Sequence, residues 1–161
     1  MKKHAIIPIF IPHLGCPCRC VFCNQQKITA RTKAVSTDEV RETVDRYLST
    51  LEELDPGEIE IAFYGGSFTA IPIEMQTAYL KVANEYIEQG QVSSLHISTR
   101  PDCIDDEILS NLRHYNVSTI ELGVQSFNDE VLTLSKRGHD SDTARKAATL
   151  IKERGFKLGI Q

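Results

Sequence analysis

The sequence predicts an α/β fold built on a parallel sheet, because short apolar runs alternate with longer segments whose apolar residues recur at helical spacing. Five runs have the length and β-branched content of strands, at residues 6–11, 59–63, 95–98, 119–124 and 156–160. Such a pattern fits an open doubly wound sheet and a curved section of a barrel equally well. In both architectures the active groups lie at the carboxyl ends of the strands.

The segments between the runs carry helix start and stop signals. Ser36-Thr37-Asp38-Glu39 has the form of a capping box. Pro72 suits the first residue of a helix, and Gly155 suits a helix C-terminus. The predicted helices cover residues 36–54, 72–88, 104–115 and 141–154, with a shorter helical turn at 129–134.

Composition indicates one ordinary globular domain, residues 1–161, with 41% hydrophobic and 25% charged residues. The net charge of −4 gives no overall basic signature for nucleic acid, and no apolar stretch approaches the length of a membrane span. The apolar run near the N-terminus is interrupted by Pro8 and Pro12 and lacks a signal-peptide cleavage site. We therefore predict a cytoplasmic protein with no membrane partner.

Four of the five cysteines lie within eight residues, in Cys16-Pro17-Cys18-Arg19-Cys20-Val21-Phe22-Cys23. In a reducing compartment, clustered cysteines indicate metal binding or catalysis rather than disulfides. Cys16, Cys20 and Cys23 have the spacing C-x3-C-x2-C, which lets one loop place three thiolates around a 4Fe–4S cluster. One iron would then keep an open coordination position. Cys18 is surplus and is expected to point away.

Two other interpretations of the cysteine cluster are consistent with the sequence. A structural zinc site could use all four, although zinc sites usually join two separated pairs. Thiol–disulfide chemistry at Cys20-Val21-Phe22-Cys23 would need a helix N-terminus to acidify the first thiol.

Polar or glycine-rich motifs follow the other strands. Gly65-Gly66 lets a ligand approach the backbone without side-chain collision. Because the carboxyl ends of parallel strands meet at one edge of the sheet, these motifs are predicted to share one site with the cysteines. The candidate residues in these strand-end motifs are Gly65, Gly66, Ser67, Ser98, Thr99, Arg100 and Gln125.

The cysteine frame resembles that of the radical S-adenosylmethionine (radical SAM) enzymes. Residues 14–25, 63–69, 98–102 and 121–161 resemble the elongator catalytic-subunit-like branch of that superfamily. The resemblance implies a partial (β/α) barrel of parallel strands, with about five of six strands present. It also implies that the domain at 1–161 is a radical SAM core that is incomplete at its C-terminus.

The resemblance assigns the three frame cysteines to the cluster and to the catalytic centre. Phe22 matches an aromatic residue just before the third cysteine, and the backbone of Gly65 and Gly66 would receive the amino group of SAM. Ser67 stands where the family usually has an acidic residue, a departure that the elongator-like branch shares.

The later strand ends would complete the SAM pocket. Ser98 stands where relatives often carry a ribose-binding carboxylate, so Thr99 is expected to share that task. Arg100 is expected to hold the ribose or the substrate. The remaining residues would line the SAM pocket (Gln125), pair with the SAM carboxylate (Arg137) and supply a polar SAM contact (Gln161).

Members of the family reduce the cluster with a donor such as flavodoxin or ferredoxin. They cleave SAM to a 5′-deoxyadenosyl radical, which abstracts hydrogen from a substrate that this sequence does not identify. The substrate could be tRNA, whose phosphates the basic residues Lys27, Arg31 and Lys33 could meet; the alternative is a solvated loop. The elongator subunit has wider cysteine spacing and an acetyltransferase domain, and this chain has neither. The alternative function is a non-catalytic module that binds zinc or an iron–sulfur cluster for structure or interaction.

Overall fold

The computed structural model describes residues 4–11, 20–23, 34–51 and 57–161. Its centre is one five-stranded parallel sheet in the order β1-β2-β3-β4-β5, which is also the order along the chain. The strands are β1 (His4–Ile11), β2 (Glu58–Gly65), β3 (Ser94–Thr99), β4 (Val117–Leu122) and β5 (Lys157–Ile160).

Strand order decides between the two predicted architectures. In a doubly wound sheet the order reverses and helices cover both faces, whereas here each strand lies beside its predecessor. The buried apolar residues of the strands share one face, where Ile9, Phe63, Ile97 and Ile120 are in register. The helices pack on that face. The predicted partial-barrel α/β fold, with five parallel strands, is confirmed.

The helices lie close to their predicted positions. Ser36 and Glu39 form the expected capping box, in which the Ser36 backbone N–H donates to Glu39 and the Glu39 N–H donates to Ser36 Oγ. None of the helices described here is both long enough and apolar enough to cross a membrane. The helices are α1 (Thr37–Leu51), α2 (Ile73–Glu88), α3 (Asp106–His114), α4 (Asp129–Leu134) and α5 (Ser141–Glu153).

Three details differ from the sequence prediction. α2 begins at Ile73, with Pro72 at the N-cap position. α3 begins at Asp106 rather than residue 104, because the Asp105 side chain accepts a hydrogen bond from Ile108 N–H and caps the helix there. Short 3₁₀ turns at Phe68–Ala70 and Pro101–Cys103 follow β2 and β3 and bring the chain over the end of the sheet.

The other sheet face, opposite the helices, is called the inner face. It carries alternate strand residues, since successive side chains of a strand point to opposite faces. The inner-face residues include Phe10 of β1, Glu60 and Tyr64 of β2, His96 and Ser98 of β3, and Glu121 of β4.

Tyr86 links α2 to α1 through a hydrogen bond of 2.6 Å from its hydroxyl to Asp45 Oδ1. Burial, then the hydrogen bond and charge of Asp45, raise the pKa of Tyr86 to about 12. Since the unfolded pKa is lower, about 10, the folded state favours the neutral phenol. The resulting stabilisation is complete below pH ~10 and is lost as pH rises through about 12.

We expect Tyr86→Phe to lower the free energy of unfolding at neutral pH by about 1 kcal/mol. Urea unfolding should show this difference from the native sequence shrinking as pH is raised toward 12. Tyr47→Phe is the control, because the Tyr47 side chain is exposed. A difference that stays constant across this pH range would contradict the account.

Candidate functional site

The Cys20–Cys23 segment forms a tight turn against the carboxyl edge of the sheet. The Cys23 N–H donates to the Cys20 carbonyl at 3.0 Å, and the Val21 N–H donates to the Ser135 carbonyl at 3.1 Å. Cys20 is buried, Cys23 is half-buried, and both are free thiols. Cys16 and Cys18 lie outside the described residues, as do Lys27, Arg31 and Lys33.

Arg137 lies directly behind this turn. Its Nη1 is 3.5 Å from Cys20 Sγ, and its Nη2 donates to the Gly123 carbonyl. Only 9% of Arg137 is exposed. Gly123 permits this approach, since a Cβ there would lie 2.9 Å from Arg137 Nη2. The structure therefore joins two predicted site residues, Cys20 and Arg137, that are 117 positions apart in sequence.

Arg100 supports the segment that carries Arg137. Its guanidinium donates twice to the Asp102 carboxylate, at 2.9 Å each, and Nη2 also donates to the Arg137 carbonyl at 2.8 Å. Only 1% of Arg100 is exposed. The Arg100 side chain therefore contacts Asp102 and the Arg137 backbone, and it helps to position the segment that carries Arg137.

Ser67 and Thr99 belong to a buried cluster of hydroxyl groups. Their hydroxyls are 2.8 Å apart, and the Thr69 and Thr99 hydroxyls are 2.6 Å apart. Thr69 also donates to the Cys103 carbonyl, and Arg100 N–H donates to Ser67 Oγ at 3.3 Å. This cluster ties the glycine turn after β2 to the end of β3.

Gly65 ends β2 with a φ of 120°, in a region that favours glycine. A Cβ at Gly65 would overlap the Ile11 carbonyl oxygen of β1, and Gly66 N–H reaches the same oxygen at 3.4 Å. Close packing of β1 against β2 therefore requires glycine at position 65, whether or not a ligand binds there.

Gln125 and Gln161 meet at the ends of β4 and β5. The Gln125 N–H donates to the Gln161 carbonyl at 2.8 Å, and Gln161 N–H donates to the Leu122 carbonyl at 2.9 Å. Gln125 has a φ of 70°, which is uncommon for a residue other than glycine. Strained residues of this kind cluster at functional sites, and the Gln125 side chain is exposed at the sheet edge.

Two predicted residues lie apart from this hydrogen-bonded set. Phe22 is 57% exposed on the cysteine turn. Ser98 lies on the inner face, in register with Glu121.

The inner face carries a polar group across three neighbouring strands that was not predicted from the sequence. His96 Nδ1 lies 3.3 Å from Glu60, and His96 Nε2 lies 3.5 Å from Glu121. The Tyr64 ring meets the His96 ring edge-on, with centroids 5.6 Å apart. Alternation of polar and apolar residues in 58–64 and 94–98 was the available signal, since it marks a face away from the apolar core.

Charge on the inner face follows from these contacts. Burial acts to raise the pKa of Glu60, but hydrogen bonds from His96 and Ser94 outweigh it and hold the pKa below its ordinary value. Burial, then the charges of Glu121 and Glu60, raise the pKa of Tyr64. At neutral pH, Glu60 is therefore ionised and Tyr64 is a neutral phenol.

The donor set at the cysteine turn suits an iron–sulfur cluster. Soft thiolates are the ligands of such clusters, and the Arg137 guanidinium lies 3.5 Å from the Cys20 sulfur. Cys103 differs, because burial, then the charge of Asp102, raise the pKa of its thiol. Among the residues that the structure covers, no group of three His, Cys, Asp or Glu side chains forms a further metal site.

Comparison of the sequence with known families gives one match over most of the chain, to the radical SAM superfamily over residues 10–160. Among curated proteins, the chain is 27% identical over 190 residues to a tRNA uridine(34) acetyltransferase of Methanocaldococcus infernus. The match covers 96% of this chain and 35% of that protein. An uncharacterised protein of Methanocaldococcus jannaschii, MJ0486, is 31% identical over 94% of this chain and 49% of its own length. The chain thus spans between a third and a half of these relatives.

Solved structures agree on the fold. The archaeal Elp3 of Methanocaldococcus infernus superimposes with a TM-score of 0.66 at 23% identity, covering 99% of this chain and 38% of that one. Native anSMEcpe with bound AdoMet and a Cp18Cys peptide gives a TM-score of 0.71 at 18% identity, covering 98% and 42%. On the extent of the family match, the chain belongs to the radical SAM superfamily of enzymes and is similar to its elongator-type members.

Proposed function

We propose that residues 1–161 form the core of a radical SAM enzyme, in which Cys16, Cys20 and Cys23 hold a 4Fe–4S cluster. The observation that carries the proposal is the contact between the buried Arg137 cation and Cys20 Sγ, since both are predicted site residues. When bound, the cluster and SAM supply a 5′-deoxyadenosyl radical that abstracts hydrogen from a substrate.

The chain's own residues would bind and orient these cofactors. Gly65 and Gly66 would offer backbone groups to the SAM amino group. Phe22 would lie beside the cofactors on the cysteine turn. Ser67, Thr99 and Arg100 form the buried support described above.

Four further polar residues would complete the proposed SAM site. Gln125 and Gln161 lie at the ends of two adjacent strands. Ser98 would lie on the ribose side, and the buried Arg137 would pair with the SAM carboxylate.

The substrate and partners belong to the same proposal. The inner face, with Tyr64, His96 and Glu121, is the surface on which a substrate would meet the radical. One relative is a tRNA uridine(34) acetyltransferase, so tRNA is the first substrate to test. A flavodoxin or ferredoxin in the cytoplasm would supply the electron.

The decisive experiment measures SAM cleavage by protein purified without oxygen, reconstituted with iron and sulfide, and supplied with SAM and dithionite. We expect 5′-deoxyadenosine, detected by chromatography, from the native sequence. Cys16→Ala, Cys20→Ala and Cys23→Ala should each abolish it by removing a cluster ligand. Cys18→Ala and Cys103→Ala are matched controls that should retain product, the second because its thiol stays protonated at neutral pH.

Two outcomes would contradict the proposal. Zinc bound in place of iron would favour the structural metal module. A cluster that forms on all four loop cysteines, with no product, would favour a non-catalytic iron–sulfur module.

A further inference from the structure

We infer that Arg137 sets the reduction potential of the cluster through its contact with Cys20, in addition to any contact with SAM. The inference rests on the proposed function, because it takes Cys20 as a cluster ligand. Arg137 Nη1 lies 3.5 Å from Cys20 Sγ, where the two side chains are 9% and 5% exposed.

The charge of Arg137 requires a negative partner. Burying a cation without one is costly, so buried arginines usually face carboxylates. Within the described part of the chain, the guanidinium meets the Cys20 sulfur and the Gly123 carbonyl and no carboxylate. As a ligand of the proposed cluster, the Cys20 sulfur would place negative charge 3.5 Å from this cation.

One contact positions the Arg137 guanidinium and another positions the Arg137 backbone. Gly123 accepts from Nη2 and has no side chain to displace it. Arg100, held by Asp102, donates to the Arg137 carbonyl at 2.8 Å. The cysteine turn is held in the same region by the bond from Val21 N–H to the Ser135 carbonyl. The distance between charge and sulfur is thus set by the folded chain.

A fixed cation beside a ligand sulfur favours the reduced cluster. One-electron reduction adds one negative charge to the cluster, with the electron coming from an external donor such as dithionite. Charges interact strongly in a buried site of low dielectric. Hydrogen bonds to the sulfurs and local charge are recognised determinants of cluster potential. Removing the cation should therefore make the cluster harder to reduce.

The test is a redox titration of the reconstituted protein without SAM, followed by electron paramagnetic resonance. Arg137→Gln should lower the equilibrium constant for reduction about tenfold, a shift of ~59 mV to more negative potential. Arg137→Lys keeps the positive charge but loses the fork geometry of the guanidinium, so it should shift the reduction potential less than Arg137→Gln does. Arg145→Gln is the control, because that guanidinium lies over Phe127 and donates to Ser141. It should leave the potential unchanged.

The outcomes separate the possible roles. If Arg137 acted on the SAM carboxylate alone, Arg137→Gln would weaken SAM binding and leave the potential without SAM unchanged, which overturns the inference. If Arg137→Gln takes up no iron, the reduction potential of Gly123→Ala is measured instead. The added Cβ displaces Arg137 Nη2, while Arg137 itself and its positive charge are retained. A shift to lower potential there supports the inference, and no shift overturns it. Zinc in the native protein would overturn the proposed function and the inference together, whereas unchanged potentials in iron-loaded variants overturn the inference alone.

Discussion

Gly65→Ala is expected to lower the free energy of unfolding by about 4 kcal/mol, enough to unfold much of a marginally stable domain. Two effects combine at this position. Alanine is strained at a φ of 120°, and its Cβ would overlap the Ile11 carbonyl oxygen where β1 and β2 pair. The strands would have to separate at the edge that carries the proposed site.

Urea unfolding of Gly65→Ala and Gly90→Ala checks this expectation. Gly90 also has a positive φ, 71°, but no atom lies within 4 Å of a Cβ placed there. Gly90→Ala should therefore cost only the backbone strain, about 1 kcal/mol. Equal losses in the two variants would show that overlap with Ile11 contributes nothing.

Asp102→Asn is expected to lower the free energy of unfolding by about 3 kcal/mol. The substitution removes the negative charge that faces the Arg100 guanidinium, which is 1% exposed. This value is at the low end of the cost of breaking a buried ion pair. The Asp102 side chain is 27% exposed, so water offsets part of the lost interaction energy.

Asp142→Asn is the matched control for that substitution. The Asp142–Lys146 pair also joins a carboxylate to a cation, but its side chains are 68% and 78% exposed. Its loss should cost less than about 1 kcal/mol. The account of Arg100 would be wrong if chemical denaturation gave similar losses for the two aspartates.

Much of the fold could be predicted because its signals are local. Apolar runs located all five strands, and the Ser36–Glu39 capping box located the start of α1. The rule that parallel strands place their carboxyl ends at one edge was enough to group the candidate residues. Cys20 was predicted from the cysteine spacing and Arg137 from the resemblance to the radical SAM family, and the structure places the two side chains in contact.

The contacts within the site could not be predicted, because they depend on register between strands. The hydroxyl cluster of Ser67, Thr69 and Thr99 exists because the turn after β2 lies over the end of β3. The inner-face group depends on Glu60, His96 and Glu121 facing the same side of three neighbouring strands. A single sequence shows that each residue alternates with apolar neighbours, but not which residues stand beside one another.

The inner-face group would disfavour an anionic ligand on this part of the sheet. Two carboxylates flank one imidazole, so this part of the surface carries net negative charge whichever state His96 adopts. A phosphate brought against Glu60 and Glu121 would meet repulsion in a region partly shielded from water. If the substrate is tRNA, as proposed above, its backbone would have to stay at the rim while a single neutral or hydrogen-donating group, such as an unstacked base, extended toward the inner face.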